Sequence, residues 1–225
     1  MSFNIPILMY HQVSNEPQSN FMQYTVTVKS FEKQMQILKL LGITPITVSK
    51  LYEYKLYRAD LPNKHVIITF DDCLQDAIDN AVPILKKKGF TAVFYMTTGY
   101  AGKRSSWMIP EVDVEFQVAD WAEIKNLDSM GFEIGSHSMT HPHMSDISAD
   151  ACRKEIEGSR KVLEEILGHE VRHMAYPHGS YNDTVVNLVT ECGYLTACTT
   201  EGRIAGTDDR MLTLPRINIG MEDTI

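Results

Sequence analysis

Short apolar runs alternate with longer amphipathic ones along the chain, the pattern of repeated strand-helix units and so of a mainly parallel sheet or barrel. Strands are predicted near 5–10, 43–46, 65–70, 91–96, 132–135, 172–176, 195–199 and 212–218, with helices between them. In the first helix, Phe31, Met35, Leu38 and Leu41 follow Val28 at helical spacing, Ser30 is available as a cap, and Gly42 ends the run. The next helices are read at 48–57, 76–88, 120–130, 148–167 and 182–192, the last four closed by Gly89, Gly131, Gly168 and Gly193. Between Thr97 and Ala119 the periodicity lapses into Gly, Ser, Arg, Pro and isolated apolar residues, which predicts a long surface loop over one end of the sheet.

Length and composition narrow the picture. A chain of 225 residues is long enough for one large α/β domain, and 1–225 is read as a single domain. Its 44% hydrophobic and 22% charged content is that of a soluble globular protein, and no apolar run approaches the roughly 20 residues that span a bilayer. The start, Met1 to Pro6, has no basic region followed by an apolar stretch, so the sequence as it stands reads as cytoplasmic, or as exported if an N-terminal segment is missing. A net charge of -8 argues against nucleic acid as a partner. Cys73, Cys152, Cys192 and Cys198 form neither a CxxC pair nor a disulfide framework and read as free thiols, with Cys73 placed beside paired aspartates where it could meet a metal.

Candidate chemistry sits at predicted strand ends. Ile67 to Phe70 runs into Asp71-Asp72, Glu133 to Gly135 runs into a segment with His137 and His141, and a third strand ends in Tyr176-Pro177-His178. In an α/β barrel such ends converge on one face. Together the first two segments offer one Asp and two His to a divalent metal and leave one Asp as a base. Taken singly each has a plainer explanation: adjacent aspartates cap helices, and histidines four apart sit on surfaces or form ordinary hydrogen bonds.

Thr69-Phe70-Asp71-Asp72 and His137-Ser138-Met139-Thr140-His141 resemble, in order and separation, the first two motifs of the polysaccharide deacetylases, carbohydrate esterase family 4 with its nodulation-deacetylase (NodB) homology domain. Ala175 to Asn182 resembles the third motif, and Leu214-Pro215-Arg216-Ile217 the closing strand. Met9-Tyr10-His11 brings the resemblance nearest to the branch of poly-N-acetylglucosamine deacetylases, which carries a Tyr-His pair near the N-terminus. The resemblance implies a distorted, incomplete (β/α) barrel with a metal-dependent hydrolase site at its open end.

It also implies roles. Asp72, His137 and His141 become ligands of one divalent metal ion, Zn2+ by first choice, Asp71 the general base and His11 the general acid. Three mixed O and N ligands leave a position for water, as catalytic zinc sites do, although ligand type alone does not separate zinc from other transition metals. The implied reaction is attack of an activated water on the acetamide of an N-acetylated sugar, with the oxyanion met by the backbone N–H of His178 and with Tyr176, Pro177 and Arg216 at the oxyanion and substrate side. The chain departs from the pattern in having Cys73 where most members have Gly. It has Ala175 in place of an Arg that steadies the catalytic aspartate, for which Arg216 or Arg172 is available, and no evident fourth motif or fifth-motif His. His143 reads as a loop histidine or as an outer contact to the ligands. Trp107, in the long loop, is a candidate to stack on a sugar, while Trp121 and Tyr181 pack.

The partner is therefore expected to be an N-acetylated glycan or an acetylated small molecule. An esterase or amidase of the same fold, and a glycan-binding module that has lost turnover, are the other readings.

Overall fold

The computed structural model describes residues 4–57, 60–206 and 208–223; the reading made on Met1 to Phe3 lies outside them. In chain order the first elements are β1 (Asn4–Ile5), β2 (Ile7–Tyr10), β3 (Gln12–Val13), β4 (Thr25–Val26), α1 (Val28–Leu40), β5 (Thr44–Ile46), α2 (Val48–Tyr57), β6 (His65–Phe70) and α3 (Gln75–Lys88). There follow β7 (Val93–Met96), α4 (Ile109–Val112), α5 (Trp121–Ser129), β8 (Glu133–Ser136), α6 (Ala149–Leu167), β9 (His173–Ala175), α7 (Asp183–Glu191), β10 (Thr196–Cys198), β11 (Ala205–Gly206) and β12 (Ile217–Asn218).

The main sheet has the order β10-β9-β8-β7-β6-β2-β12, with β5 also paired to β6, and its pairs are parallel. Both faces are buried, as crossover helices require. One face of each strand meets the helices, with Ile68, Phe70, Phe94, Ile134 and Met174 packing against Phe31, Leu85 and Ile156. The other face turns inward, where Ile7, Ile67, Val93, Tyr95, Ala175 and Cys198 form one cluster. The sheet curls enough for the Tyr95 hydroxyl on β7 to come within 3.4 Å of Cys198 Sγ on β10, three strands away. This is the curled, incomplete barrel expected from the sequence.

The structure changes four details. The predicted strand at 212–218 is broken: Leu214 bridges to Cys198, while Ile217 pairs with Leu8 on the opposite edge. Pro215 lies between them and has no N–H to give a ladder, so the segment spans the gap between the sheet's two edges instead of extending one of them. The cap of α1 is Thr27, whose hydroxyl accepts from the Ser30 N–H, and not Ser30. Asp71 and Asp72 cap no helix, since α3 starts at Leu74 without a side-chain cap. The 97–119 loop holds helical turns at Ser106–Met108 and Ile109–Val112. Elsewhere the caps follow the sequence, with Asp120 in a capping box and Ser148 and Asn182 accepting at the starts of α6 and α7. Among the described residues no helix is long and apolar enough to cross a membrane.

Candidate active site

Strand parity aims the chemistry. Successive side chains alternate between faces, so the inward series Ile7, Met9 leads to His11, Ile67, Thr69 leads to Asp71, and Gly135 leads to His137. Register aligns them: Tyr10 pairs with Phe70 and Ser136 with Met174, which places His11 beside Asp71 and His137 beside Ala175. These ends open into a pocket of roughly 360 Å³ lined by His11, Asp71, Asp72, His137, His141 and His178, with Phe21, Tyr24, Trp107 and Glu111 among its walls.

Past the strand ends the backbone bends sharply. Asp72, Cys73, Ser138, His141 and His178 all take positive φ, between 51° and 66°. Non-glycine residues seldom do so, and such strain gathers where side chains must be aimed. Cys73 adopts at φ 51° the left-handed conformation that a glycine takes without strain, so the turn keeps a glycine-like shape despite the substitution. Its thiol is fully buried in the outer core and belongs to neither the pocket lining nor the ligand group.

Asp72 Oδ1 lies 3.6 Å from His137 Nε2 and 3.3 Å from His141 Nε2, and it is buried with no hydrogen-bond partner. His137 Nδ1 is 2.8 Å from the Ala175 carbonyl, which can only accept, so Nε2 presents its lone pair to the centre of the group. Tetrahedral coordination with bonds of about 2.0 to 2.2 Å has edges of about 3.3 to 3.6 Å, so Asp72 Oδ1 already stands at ligand spacing from each imidazole, and all three atoms lie within 4.8 Å of one another. Burial, and then the charge of Asp71, push the Asp72 carboxyl well above the usual range, while burial pulls His137 down to about 4. Converging acceptors of this kind need a cation or a proton between them, and the donor set fits a divalent metal.

Asp71 is held differently. Arg216 is fully buried and donates to both its oxygens, Nη1 to Oδ1 at 2.6 Å and Nη2 to Oδ2 at 2.7 Å. The guanidinium is set by Nε donating to the Thr199 carbonyl and by Nη1 donating to Thr69 Oγ1. Burial alone would raise the Asp71 pKa, but Arg216 and His137 outweigh it and bring it down to about 2.

These contacts correct part of the sequence reading. Arg216 is not at the substrate side but steadies Asp71; Arg172 is exposed and pairs with Glu170. Tyr176 and Pro177 do not line the pocket: the Tyr176 hydroxyl donates to the Leu212 carbonyl and Pro177 is buried. His178 does line it, and His143 stacks on His178 with centroids 3.8 Å apart. Trp107 stands over His141, at 5.2 Å and 29°. Burial lowers His11 to about 4, partly offset by Asp71, which favours the neutral ring near pH 7.

Other contributors escaped the sequence reading. Glu155 of α6 accepts from the Met139 and Thr140 N–H groups, both at 2.8 Å, and from the Thr140 hydroxyl at 2.7 Å. It thereby holds the loop between His137 and His141. Gly158 of α6 admits Met139, because a Cβ there would stand 2.4 Å from its sulfur. Phe21 and Tyr24 come from Ser19–Tyr24, a stretch whose only sequence signal is two aromatics in a polar run.

Comparison with known proteins agrees with this geometry. The family description "Polysaccharide deacetylase" matches residues 58–197. A poly-beta-1,6-N-acetyl-D-glucosamine N-deacetylase of Staphylococcus epidermidis is 26% identical over 233 residues, covering 93% of this chain and 77% of that protein. A Streptococcus pyogenes deacetylase solved in complex with acetate is 26% identical with a TM-score of 0.87, covering 100% of this chain and 96% of that one. A polysaccharide deacetylase from Bacillus cereus is 28% identical with a TM-score of 0.83, over 99% of this chain and 67% of that one. With a family pattern matched over more than half its length, on a fold shared with solved deacetylases, this chain belongs to the polysaccharide deacetylase family.

Proposed function

We propose that the protein is a metal-dependent hydrolase that removes N-acetyl groups from a glycan, oligosaccharide or precursor containing N-acetylglucosamine, releasing acetate. The observation that carries this reading is the convergence of Asp72, His137 and His141 at ligand spacing beside a separately clamped Asp71. Support for the substrate comes from the name of the S. epidermidis relative, and for acetate as product from the complex solved for the S. pyogenes one.

Asp72, His137 and His141 would hold the ion, with zinc the first choice. When bound, it would act as a Lewis acid that acidifies water and polarises the acetyl carbonyl. Asp71 is ionised across the working range, and Arg216 fixes its direction, so it takes a proton from the attacking water. The His178 N–H, on a turn held at φ 57°, donates to the oxyanion. His11 delivers a proton to the departing nitrogen, leaving acetate and the free amine. That ring is held toward its neutral form by burial, so the proton it delivers is the one Asp71 has taken from the water, passed to the neighbouring His11 before the C–N bond breaks. Trp107 and Tyr24 wall the pocket with flat faces suited to a sugar ring.

The test is acetate release from β-1,6-linked N-acetylglucosamine oligomers and chitooligosaccharides, with an O-acetylated sugar alongside. Asp71→Asn should retain the ion and lose at least about 10²-fold in turnover, the scale expected of a general base. Turnover at the native rate in that variant would remove Asp71 from its role. Release from the O-acetyl sugar alone would move the function to an esterase, and a metal-loaded protein that releases acetate from none of them would be a binding module.

A further inference from the structure

Among the described residues, a second group gathers metal-binding side chains: Glu111, His143 and His178, whose ligand atoms lie within 4.8 Å of one another. They come from three segments, α4 in the long loop, the turn after β8 and the turn after β9. Glu111 Oε1 stands 3.1 Å from His143 Nε2, and its Oε2 stands 3.5 Å from His178 Nδ1.

The tautomer of His178 is what gives this group meaning. Its Nε2 lies 3.3 Å from the His141 carbonyl oxygen, which can only accept, so Nε2 carries the hydrogen. Nδ1 is left with a lone pair facing a carboxylate oxygen. Two acceptors opposed at that distance are drawn together by a cation between them, and 3.5 Å is within the edge of about 3.3 to 3.6 Å found around a tetrahedral ion. His143, stacked on His178 and 48% exposed, already sets its Nε2 3.1 Å from Glu111 Oε1, so it presents its own nitrogen to the same centre.

We propose that Glu111, His143 and His178 form a second divalent-cation site on the rim of the pocket, and that its occupancy inhibits the enzyme. Glu111 and His178 both line the pocket and already stand 3.5 Å apart, so an ion held between them adds its own bulk and charge to the pocket wall that substrate must pass. The ligands are half-exposed, whereas Asp72, His137 and His141 are buried. The rim site therefore fills after the inner one, and excess metal lowers the rate. The inhibition rests on the hydrolase reading; the binding does not.

The experiment is a zinc titration followed by both equilibrium dialysis and acetate release. His143→Phe keeps the ring stack on His178 and removes the nitrogens. The unaltered protein should bind two equivalents, gaining activity with the first and losing at least fivefold with the second. His143→Phe should bind one, match the unaltered rate at that loading, and resist the excess. Glu111→Gln, read by stoichiometry alone, should also bind one. A single equivalent in the unaltered protein, a second equivalent kept by both variants, or equal inhibition with and without His143 would each overturn the proposal. If no acetylated sugar is hydrolysed, the functional reading fails by itself, and the number of bound equivalents still decides whether the rim site exists.

Discussion

At the scale of the residue, the Asp71–Arg216 pair sets the chemistry. A buried carboxylate is costly unless it is paired and hydrogen-bonded, and the guanidinium meets both its oxygens. Removing one member of such a pair costs about 3 to 5 kcal/mol, because the other charge stays buried. The sign of the pH effect follows. The folded pKa of Asp71, about 2, lies below its unfolded value near 4, so the stability from the pair is complete above pH of about 4 and is lost as pH falls toward 2. In Arg216→Met burial dominates and pushes the Asp71 pKa above its ordinary value, so the base ionises only at higher pH. The acid limb of kcat/KM should move upward with it. Arg216→Lys keeps the charge but not the fork: it should restore the limb toward its native position while remaining about 10²-fold slower, the scale of a misplaced catalytic group. A limb that does not move in Arg216→Met would mean that Arg216 has no hold on the base.

At the scale of the element, the site depends on what grips the turns. The loop from Ser138 to His141 has two residues at positive φ, and the contacts that hold it from outside include the Glu155 carboxylate, the Thr98 and Gly99 N–H groups donating to the Ser138 and Met139 carbonyls at 3.1 and 2.8 Å, and the close packing of Met139 on Gly158. Glu155 touches no ligand atom. Its role is to keep His141 at the distance from Asp72 that an ion needs. Glu155→Gln replaces one charge-assisted acceptor with an amide, so metal affinity should fall about 10-fold or more, the range found when groups outside the ligand set are lost, with a stability loss of about 1 to 3 kcal/mol. Isothermal titration with zinc and chemical denaturation of the metal-free protein separate the two effects. An unchanged affinity with reduced stability would make Glu155 a fold residue only.

At the scale of the whole molecule, the proposed ion and the barrel should stabilise each other. The candidate ligands, from the turns after β6 and β8, meet only in the folded chain, so a metal should bind the native state and raise its stability, by about 4 kcal/mol at a thousandfold excess over Kd. In a chain of this size that is a Tm rise of about 8 to 16 °C, reversed by a chelator. The pH sign comes from Asp72. Its carboxyl is raised, by burial first and by Asp71 second, so at low pH a proton competes with the ion. The metal-induced Tm rise should shrink as pH falls, and calorimetry in two buffers of different ionisation enthalpy should show proton release on binding that grows as pH falls. A rise independent of pH down to 4 would contradict this account.

Much of this was legible in one dimension. Apolar runs that end in Asp71-Asp72 and in His137 marked strands whose last inward positions carry chemistry, because the strand period of two and the rule that strand ends converge act locally or through topology alone. Glycine stops and caps such as Asp120, Ser148 and Asn182 placed the helices for the same local reason. What tertiary structure alone decided is who faces whom. Arg216 is 145 residues from Asp71 in sequence and reaches it because Pro215 interrupts the last segment where it spans the two edges of the sheet. Glu155 meets Met139 and Thr140 across the junction of α6 with β8, and Glu111 meets His143 and His178 across the pocket mouth. No periodicity marks such partners, because their energy comes from desolvation and charge at distances set by the curled sheet and not by neighbours along the chain.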